Sequence, residues 1–250
     1  VNLIEGKTFK EAGKILNLSL STFSNLLRFH NIHRDHYSLY KKNKVNVDFY
    51  EDEKYDKEFH YFIGLFASDG GFHKNTMRIS IKNKGAKELL NKLALSVGHN
   101  NIRSYKNDYF ELNLSDKNLV KKLIDLGIPY KNKTYKLEDI YIKNAECLLC
   151  FLCGLFDGDG HVSYSKSKFG YKTSLGFNIC NYNEIFLLNL QKKIKDMLGF
   201  NSIVYKCKSS IPVIYIGARN NSKLFFEKMY STSSLYLECK YSIYKDIISK

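Results

Sequence analysis

The stretch FIGLFASDGG (residues 62–71) is echoed later in the same chain by FLCGLFDGDG (151–160). Five positions of the two stretches align without a gap at a constant offset of 90 residues: Gly64 with Gly154, Leu65 with Leu155, Phe66 with Phe156, Asp69 with Asp159, and Gly70 with Gly160. Internal self-similarity of this kind indicates two related structural units in one chain. Each copy ends an apolar run on Asp-Gly, which predicts a helix that finishes on a carboxylate and stops at the glycine.

The segments that follow the two motifs repeat the same order of elements. The periodicity of the first half predicts a strand over 77–83, a helix over 86–98, strands near 100–106 and 109–114, and a helix over 116–127. The second half predicts strands near 161–166 and 172–180, a helix over 182–198, strands near 202–208 and 211–217, a helix near 221–230, and a last helix over about 234–249. Each half therefore has the order αββαββα, and we expect an α+β fold of two pseudo-symmetric repeats.

The N-terminal part of the chain predicts a small, separate all-α domain. Residues 7–30 form two short amphipathic segments around a turn at 17–19, a pattern that resembles a helix-turn-helix, with a plain helical hairpin as the alternative. The exposed face of the second helix carries polar and basic residues that suit base edges and phosphates: Ser21, Thr22, Asn25 and Arg28. The predicted domains are 1–36 (helix-turn-helix-like, DNA-binding), 37–57 (a linker), 58–135 (first repeat) and 136–250 (second repeat).

The chain is strongly basic, with 39 lysine and arginine residues against 25 aspartate and glutamate residues and a formal net charge of +14. A field of this sign indicates a polyanionic partner, most often nucleic acid. We expect DNA contacts from residues on or beside the predicted strands: Arg78, Ser80, Lys82, Lys84, Arg103, Lys106, Asn113, Lys166, Lys168, Lys172, Ser174, Asn178, Lys206, Lys208 and Arg219. Binding through these side chains should weaken steeply with added salt, because it releases counterions from the DNA.

The sequence predicts neither a membrane span nor a secreted protein. The longest apolar stretches are shorter than the roughly 20 residues that a membrane-spanning helix needs. No secretory leader is visible at the N terminus. We therefore expect an intracellular protein, located in the cytoplasm or in an organellar matrix, with no membrane partner.

The carboxylate at the end of each motif helix is unfavourably placed, because the helix dipole is negative at that end. A divalent cation against the carboxylate would remove this penalty. Each motif helix also carries two small residues four positions apart, which allow close packing of two helices: Gly64 with Ser68, and Gly154 with Gly158. If the helices pack about a pseudo-twofold axis, Asp69 meets Asp159, and two adjacent carboxylates repel each other unless a metal binds between them. This predicts a Mg²⁺ site for metal-assisted phosphodiester hydrolysis.

The paired motifs resemble those of the LAGLIDADG homing endonucleases in their single-chain, two-repeat form. The likeness covers residues 58–250 and combines two motifs, their separation, the element order and the basic strand faces. It implies that the motif helices form the interface between the halves, and that two antiparallel sheets form a saddle over the DNA. It also implies that the last acid of each motif and the preceding backbone carbonyl hold Mg²⁺, for which Mn²⁺ or Ca²⁺ can substitute: Asp69 and Asp159, with the carbonyls of Ser68 and Gly158.

The chain departs from the family pattern near each metal-binding acid. An acidic residue usually stands two positions before it; Asp157 fits, whereas Ala67 does not, and we assign no catalytic role to that position. The resemblance further implies a catalytic lysine beyond each sheet, near the reacting phosphate. The segments GIPYKNKTY (127–135) and YLECKYSIY (236–244) nominate Lys133 and Lys240, with Lys131 as a rival and a solvated surface charge as the alternative for each.

The resemblance implies a Mg²⁺-dependent endonuclease that cuts both strands of a long, asymmetric double-stranded DNA target. It further implies short 3′ overhangs and an intron- or intein-encoded mobile gene. The chain ends lack the residues of a complete intein, so a free-standing or trimmed nuclease is expected. We expect a monomer, because the second repeat replaces a partner subunit, and no small-molecule substrate. The alternatives are a non-catalytic DNA-binding regulator and an intron RNA maturase with the same fold.

Three other patterns suggest metal sites at first sight. The cysteines of CLLCFLC (147–153) lie in an apolar segment without a fourth ligand, which indicates core packing. The histidines of HNIHRDH (30–36) also lack a fourth ligand nearby, which favours a solvated linker. A calcium loop starting at Asp157 would need a glycine where Val162 stands and a glutamate where Lys168 stands. None of the three patterns therefore predicts a metal site.

Overall fold

The computed structural model describes residues 13–19, 21–23, 45–98, 101–166, 172–206 and 210–248. Backbone contacts divide the chain into two compact units, residues 1–44 and residues 45–250. Within the described ranges, no helix combines the length and the apolar character that crossing a membrane requires.

The described residues of the first unit include the predicted turn. Asn17 has a φ of 53°, the left-handed conformation that asparagine adopts in tight turns. Ser19 Oγ accepts a hydrogen bond from the backbone N–H of Thr22 (3.1 Å), as the N-cap of a helix does. Asn25 and Arg28 lie outside the described residues, and the helix-turn-helix stays a prediction.

The second unit contains the predicted elements of both repeats. A short helix α1 (Asp48–Glu51) and a 3₁₀ turn (Glu53–Tyr55) come first. The first repeat then comprises α2 (Asp56–Asp69), β1 (Gly70–His73), β2 (Thr76–Lys82), α3 (Ala86–Val97), β3 (Ile102–Tyr105), β4 (Tyr109–Ser115) and α4 (Lys117–Asp125), followed by a short α5 (Lys133–Lys136). The second repeat comprises α6 (Ala145–Asp159), β5 (Gly160–Lys166), β6 (Lys172–Cys180), α7 (Glu184–Leu198), β7 (Ile203–Lys206), β8 (Pro212–Ile216) and α8 (Arg219–Thr232), followed by α9 (Glu238–Ile248).

The strands of each repeat form a four-stranded antiparallel sheet, in the orders β1-β2-β4-β3 and β5-β6-β8-β7. In both sheets the glycine after the motif opens the first strand and pairs with an isoleucine: Gly70 with Ile79, and Gly160 with Ile179. Strand β2 alternates buried Met77, Ile79 and Ile81 with residues on the other face of the sheet, so each sheet covers the core with one face. The predicted α+β fold of two repeats with antiparallel sheets is confirmed.

The motif helices α2 and α6 pack against each other at the centre of the unit. A Cβ atom on Gly64 would collide with the carbonyl oxygen of Phe151, and one on Gly154 would collide with the carbonyl oxygen of Tyr61. The two contacts are reciprocal and share the offset of 90 residues. Glycine is required at both places because no side chain fits between two backbones at this separation. The close packing predicted from the small residues is confirmed.

The boundaries of the predicted domains need correction. Residues 45–57, which we assigned to the linker, belong to the second unit, because Val45 and Phe49 are buried in its core. The predicted boundary between the repeats, after residue 135, falls inside α5. Apolar side chains in a polar segment such as VNVDFY (45–50) are the signal that indicates packing rather than a linker.

The cysteine-rich part of α6 is packed in the core, as predicted. Cys147, Cys150 and Cys153 are all buried, and burial raises the pKa of the Cys147 thiol to about 11 and that of the Cys150 thiol to about 12. These thiols therefore stay protonated near neutral pH and behave as small apolar side chains. Within the part of the chain that the structure describes, no three side chains of His, Cys, Asp or Glu form a metal-binding cluster.

Candidate active site

The two motif helices end on their aspartates, and the next residue leads into a strand. Helix α2 ends at Asp69 and α6 at Asp159, and the following Gly70 and Gly160 have extended backbones (φ −88° and −87°). The glycines are thus not needed for a left-handed helix stop. Instead, a Cβ atom on either glycine would collide with the ring of the motif phenylalanine, three positions before the aspartate. The spacing of phenylalanine, aspartate and glycine in the motif therefore determines the direction in which the backbone leaves each motif helix, and with it the direction of the carboxylate.

The structure brings the two helix tails, and with them the two carboxylates, together. A Cβ atom on Gly158 would lie 3.0 Å from Asp69 Oδ2, which places the Asp69 carboxylate against the tail of α6. Burial and the negative charge of Asp159 raise the pKa of Asp69 to about 6. Burial also raises the pKa of Asp159. The charge of Asp159 therefore destabilises the charged form of Asp69, as expected for adjacent carboxylates.

Lys133 caps the C-terminal end of α2. Its ammonium donates hydrogen bonds to the carbonyl oxygens of Phe66 (2.6 Å), Ser68 (3.0 Å) and Gly70 (2.6 Å). The same ammonium lies 5.4 Å from the centroid of the Phe66 ring, within the range of a cation–π contact. A positive charge at this end of a helix compensates the dipole. The cation that the helix tail needs is therefore already present in the side chain of Lys133.

Lys240 makes the same contacts with α6. Its ammonium donates to the carbonyl oxygens of Phe156 (2.6 Å), Gly158 (3.2 Å) and Gly160 (2.7 Å). These acceptors are offset by 90 residues from the acceptors of the first lysine, although the two lysines are not. The rival Lys131 is exposed. The structure thus places both predicted lysines at the motif tails instead of on the open surface; their catalytic role stays a prediction.

Each motif carboxylate interacts more strongly with the lysine of the other repeat than with the lysine of its own repeat. A cavity of about 290 Å³ is lined by Ser68 and Lys133 of the first repeat together with Asp159 of the second. The positive charge of Lys133 is the strongest one acting on Asp159, whereas Lys240 is the strongest one acting on Asp69. The arrangement therefore forms two half-sites, Asp159 with Lys133 and Asp69 with Lys240, and each contains residues from both repeats.

Burial also changes the acidity of the lysines. It lowers the pKa of Lys133 to about 8, against the opposing negative charges of Asp159 and Asp69. It lowers the pKa of Lys240 as well, with Asp157 and Asp69 opposing the change. An ammonium with a pKa near 8 can release and regain a proton close to neutral pH, which suits proton transfer as well as charge stabilisation.

The donor set at the tails fits a hard divalent cation. It consists of oxygen atoms, namely the carboxylates of Asp69 and Asp159 and the carbonyls of Ser68 and Gly158, which is the ligand type that Mg²⁺ prefers. Both carbonyls already accept a hydrogen bond from a lysine, and a carbonyl oxygen has a second lone pair for a metal. A cation between the two carboxylates would also relieve their repulsion.

We expect the variant Asp69→Asn to stabilise the metal-free protein at pH 7. The folded-state pKa of Asp69, about 6, lies above the ordinary value, so the charged form costs stability once the pH exceeds the unfolded pKa. At pH 7 this cost amounts to about 2 to 3 kcal/mol, and it becomes smaller as the pH falls towards about 4. A neutral asparagine avoids it. Urea unfolding in EDTA at pH 7 and pH 5 measures the difference, and a variant no more stable than the wild type at pH 7 would contradict the expectation.

Several of the predicted DNA contacts lie on the exposed surface of the second unit. Exposed side chains on or beside the strands are Arg78, Lys82, Lys84, Arg103, Lys106, Lys206 and Arg219. Lys168 and Lys208 lie outside the described residues, and for Lys166, Lys172 and Ser174 only the strand position is described. These contacts stay predictions.

Asn178 is a correction to the predicted DNA contacts. Its side chain is only 2% exposed, and its amide nitrogen donates to Ser163 Oγ (2.9 Å). A buried amide that is hydrogen-bonded within the sheet cannot reach a base edge. Alternation along β6 placed it on the polar face, but its amide is bonded there to Ser163 of the neighbouring strand β5.

Glu111 is a residue that the sequence analysis missed. It lies buried among predicted DNA contacts of the first sheet, where it forms an ion pair with Arg78 (3.4 Å) and accepts a weak hydrogen bond from Ser80 Oγ (3.4 Å). The hydroxyls of Tyr105 (2.9 Å) and Tyr109 (3.0 Å) also donate to it. Arg78 and Ser80 are therefore held by an acid within the sheet. The alternation of β4 puts Glu111 on the polar face, which is the signal that could have identified it.

The comparisons with known proteins agree with this architecture. Residues 146–230 match the family model described as LAGLIDADG-like domain. None of the curated proteins matches the chain in sequence.

Solved structures extend the likeness to both repeats. The chain is 16% identical to the N-terminal LAGLIDADG domain of DUF199/WhiA, with a TM-score of 0.50 over 76% of this chain and 87% of that one. It is 15% identical to the homing endonuclease I-WcaI bound to its DNA recognition sequence, with a TM-score of 0.52 over 74% and 85%. For the LAGLIDADG homing endonuclease I-GzeII in complex with its DNA target, the identity is 12% and the TM-score 0.53, over 76% and 88%. At these identities the likeness shows the fold. The resemblance expected from the sequence is thus confirmed: residues 146–230 match the LAGLIDADG-like domain, and the chain has the two-repeat fold seen in the LAGLIDADG homing endonucleases.

Proposed function

We propose that this protein is a site-specific DNA endonuclease that makes Mg²⁺-dependent double-strand breaks in a long, asymmetric target. The observation that carries the proposal is the pair of half-sites, in which the half-buried lysine of the other repeat is the positive charge that acts most strongly on each motif carboxylate, and in which Lys133 and Asp159 line one cavity. The net charge of +14 and the likeness to homing endonucleases bound to DNA support the choice of substrate.

In this proposal the chain holds the reacting phosphates between its carboxylates and lysines. Asp69 and Asp159, with the carbonyls of Ser68 and Gly158, would hold Mg²⁺. When bound, the ion supplies an acidified water and stabilises charge on the phosphate. Lys133 and Lys240, whose ammoniums are held at the helix tails before DNA binds, would stabilise the negative charge that develops on the phosphate oxygens. Pre-organised charges of this kind contribute more to the rate than mobile surface lysines do.

Other parts of the proposal concern the organisation of the protein. The second repeat would take the place of a partner subunit, so we propose that the monomer cuts both strands. Residues 1–36 would add a helix-turn-helix contact outside the core. Short 3′ overhangs and an intron- or intein-encoded mobile gene follow from the likeness to homing endonucleases. The monomeric state, the helix-turn-helix contact, the overhangs and the origin of the gene are all testable once the target is known.

Binding of DNA without cleavage is the second candidate function. The same fold occurs in DUF199/WhiA, which is not named as a nuclease, so the fold alone does not imply catalysis. The carboxylate pair favours the nuclease. The pKa of both aspartates is raised, that of Asp69 in part by the charge of Asp159, so the pair costs stability near neutral pH without a cation. Binding to DNA alone does not require such a pair.

A DNA library distinguishes the two functions. The full chain is incubated with a randomised double-stranded library in Mg²⁺ or in EDTA, and all new DNA ends are sequenced. We expect ends that appear only with Mg²⁺, cluster at one long sequence and carry short 3′ overhangs. Binding of the library without any Mg²⁺-dependent ends would overturn the nuclease and support the binding protein.

A further inference from the structure

The two equivalent lysines are held in place by different means. Lys133 and Lys240 contact equivalent carbonyl oxygens, but the segments that carry them are anchored differently. The two motifs differ in charge at one position, where Ala67 of the first repeat corresponds to Asp157 of the second. This substitution accounts for the different anchors.

In the second repeat, the carboxylate of Asp157 anchors the start of α9. Its Oδ2 atom accepts hydrogen bonds from the backbone N–H of Leu237 (2.7 Å) and from the Tyr61 hydroxyl (2.7 Å). The carbonyl oxygen of Leu237 in turn accepts the first helical hydrogen bond of α9 from the N–H of Lys240 (3.0 Å). Asp157 and Leu237 are only 3% and 2% exposed, so water cannot replace either bond.

In the first repeat, the anchor of Lys133 lies at the surface. Ala67 provides no acceptor at the corresponding position. Instead, the ring of Tyr130 stacks on Phe72 at 5.4 Å, and its hydroxyl donates to the carbonyl oxygen of Lys74 (3.0 Å). Tyr130 is 39% exposed, so water can replace this hydrogen bond at little cost.

We propose that Asp157 is a positioning residue for Lys240. Without its carboxylate, the buried N–H of Leu237 loses its partner, the start of α9 shifts, and the Lys240 ammonium leaves the tail of α6. Lys133 keeps its own anchor. The loss therefore disables the half-site of Lys240 and Asp69 and spares that of Lys133 and Asp159. This consequence rests on the proposed function: a protein that cuts both strands becomes one that nicks a single strand.

The position of Lys240 can be tested without any activity. Pulse labelling with an amine-reactive reagent, followed by mass spectrometry, reports how accessible each lysine is in the full chain. In Asp157→Ala we expect Lys240 to react at least about tenfold faster than in the wild type, and Lys133 to keep its rate, because a buried polar group needs its partner to stay in place. Equal acceleration of both lysines, or of neither, would overturn the positioning role. So would the same acceleration of Lys240 in Asp157→Asn, which removes the charge that raises the pKa of Lys240 but keeps the acceptor. If Asp157→Ala does not fold, Asp157→Leu fills a similar space without an acceptor and takes its place.

Strand-specific cutting tests the functional consequence. A target with a different label on each strand is cut under single-turnover conditions, with the protein in excess. We expect Asp157→Ala to cut one strand about 100-fold more slowly, since a displacement of about 1 Å at a catalytic group can cost that much, with the other strand and the DNA affinity little changed. Asp157→Asn, whose amide oxygen can accept both hydrogen bonds, should restore cutting of the slow strand.

The control variant is Tyr130→Phe, which removes only the exposed hydrogen bond of the first anchor. It should leave the ratio of the two strand rates near that of the wild type. Equal slowing of both strands by Asp157→Ala would overturn the strand-specific role. A wild-type protein that cuts no DNA would overturn the proposed function, while the labelling result would still decide whether Asp157 positions Lys240.

Discussion

Replacing either motif carboxylate with asparagine should lower the rate of DNA cutting by about three orders of magnitude, since metal-ion catalysis contributes several kcal/mol and each 1.4 kcal/mol is about tenfold. Asp69 and Asp159 each end one motif helix, and the charges of both lysines act on each of them. An asparagine keeps the size of the side chain but removes the charge that attracts a divalent cation. The rates are measured by single-turnover cutting of a labelled target.

DNA binding should survive these substitutions. Affinity for DNA comes mainly from contacts between basic side chains and the DNA phosphates. The variant Asp69→Asn removes a negative charge that repels the phosphates. A mobility-shift titration should therefore give a dissociation constant equal to or lower than that of the wild type. A matched control is Asp125→Asn, because Asp125 also ends a helix but lies in α4, outside the two motif helices. Undiminished cutting by Asp69→Asn or Asp159→Asn would remove the assignment of the site.

The variant Gly64→Ala should destabilise the protein by about 2 kcal/mol or more. An alanine in a helix gains about 1 kcal/mol of propensity over glycine. Here that gain is outweighed, because the new Cβ atom would collide with the carbonyl oxygen of Phe151 in the facing helix. Overpacking usually costs about 1–3 kcal/mol, and the cost rises when the obstacle is backbone that cannot rotate away. Urea denaturation measures the change in the free energy of unfolding.

The matched control for this variant is Gly71→Ala. Gly71 lies in β1, and a Cβ atom built there would meet nothing within 4 Å. Its substitution should change the free energy of unfolding by no more than about 0.5 kcal/mol. If Gly64→Ala were as stable as Gly71→Ala, the two motif helices would not be in backbone contact. The same substitution should also weaken cutting, since the helices carry both carboxylates at their tails.

Local patterns in the sequence predicted most of the fold. The 3.6-residue and two-residue periodicities depend only on which side chains face the core, so the main helices and every strand of both repeats except β1 could be placed within a few residues. The repeated motif predicted the helix pair, because glycines four residues from another small side chain leave room for a second backbone. The aspartates were found for a related reason, since a carboxylate at a helix C-terminus is unfavourable without a nearby cation.

Other features of the site required the three-dimensional structure. Glu111 and Asn178 both alternate onto polar strand faces, yet one is buried among tyrosines and the other is hydrogen-bonded inside the sheet. Whether a polar side chain on a strand meets DNA or a neighbouring side chain depends on the strand register and on what covers the sheet. Neither can be read from the periodicity of one strand.

The amino-acid sequence by itself determined that the chain consists of two related halves, that the motif helix of each half ends on an aspartate, and that the protein is basic. These are properties of local order and composition. Only the tertiary structure decided that each acid interacts most strongly with the lysine of the opposite half, and that the lysines donate hydrogen bonds to the carbonyl oxygens of the helix tails. The physical reason is distance along the chain: these contacts join segments more than sixty residues apart, and their geometry follows from how the two central helices pack.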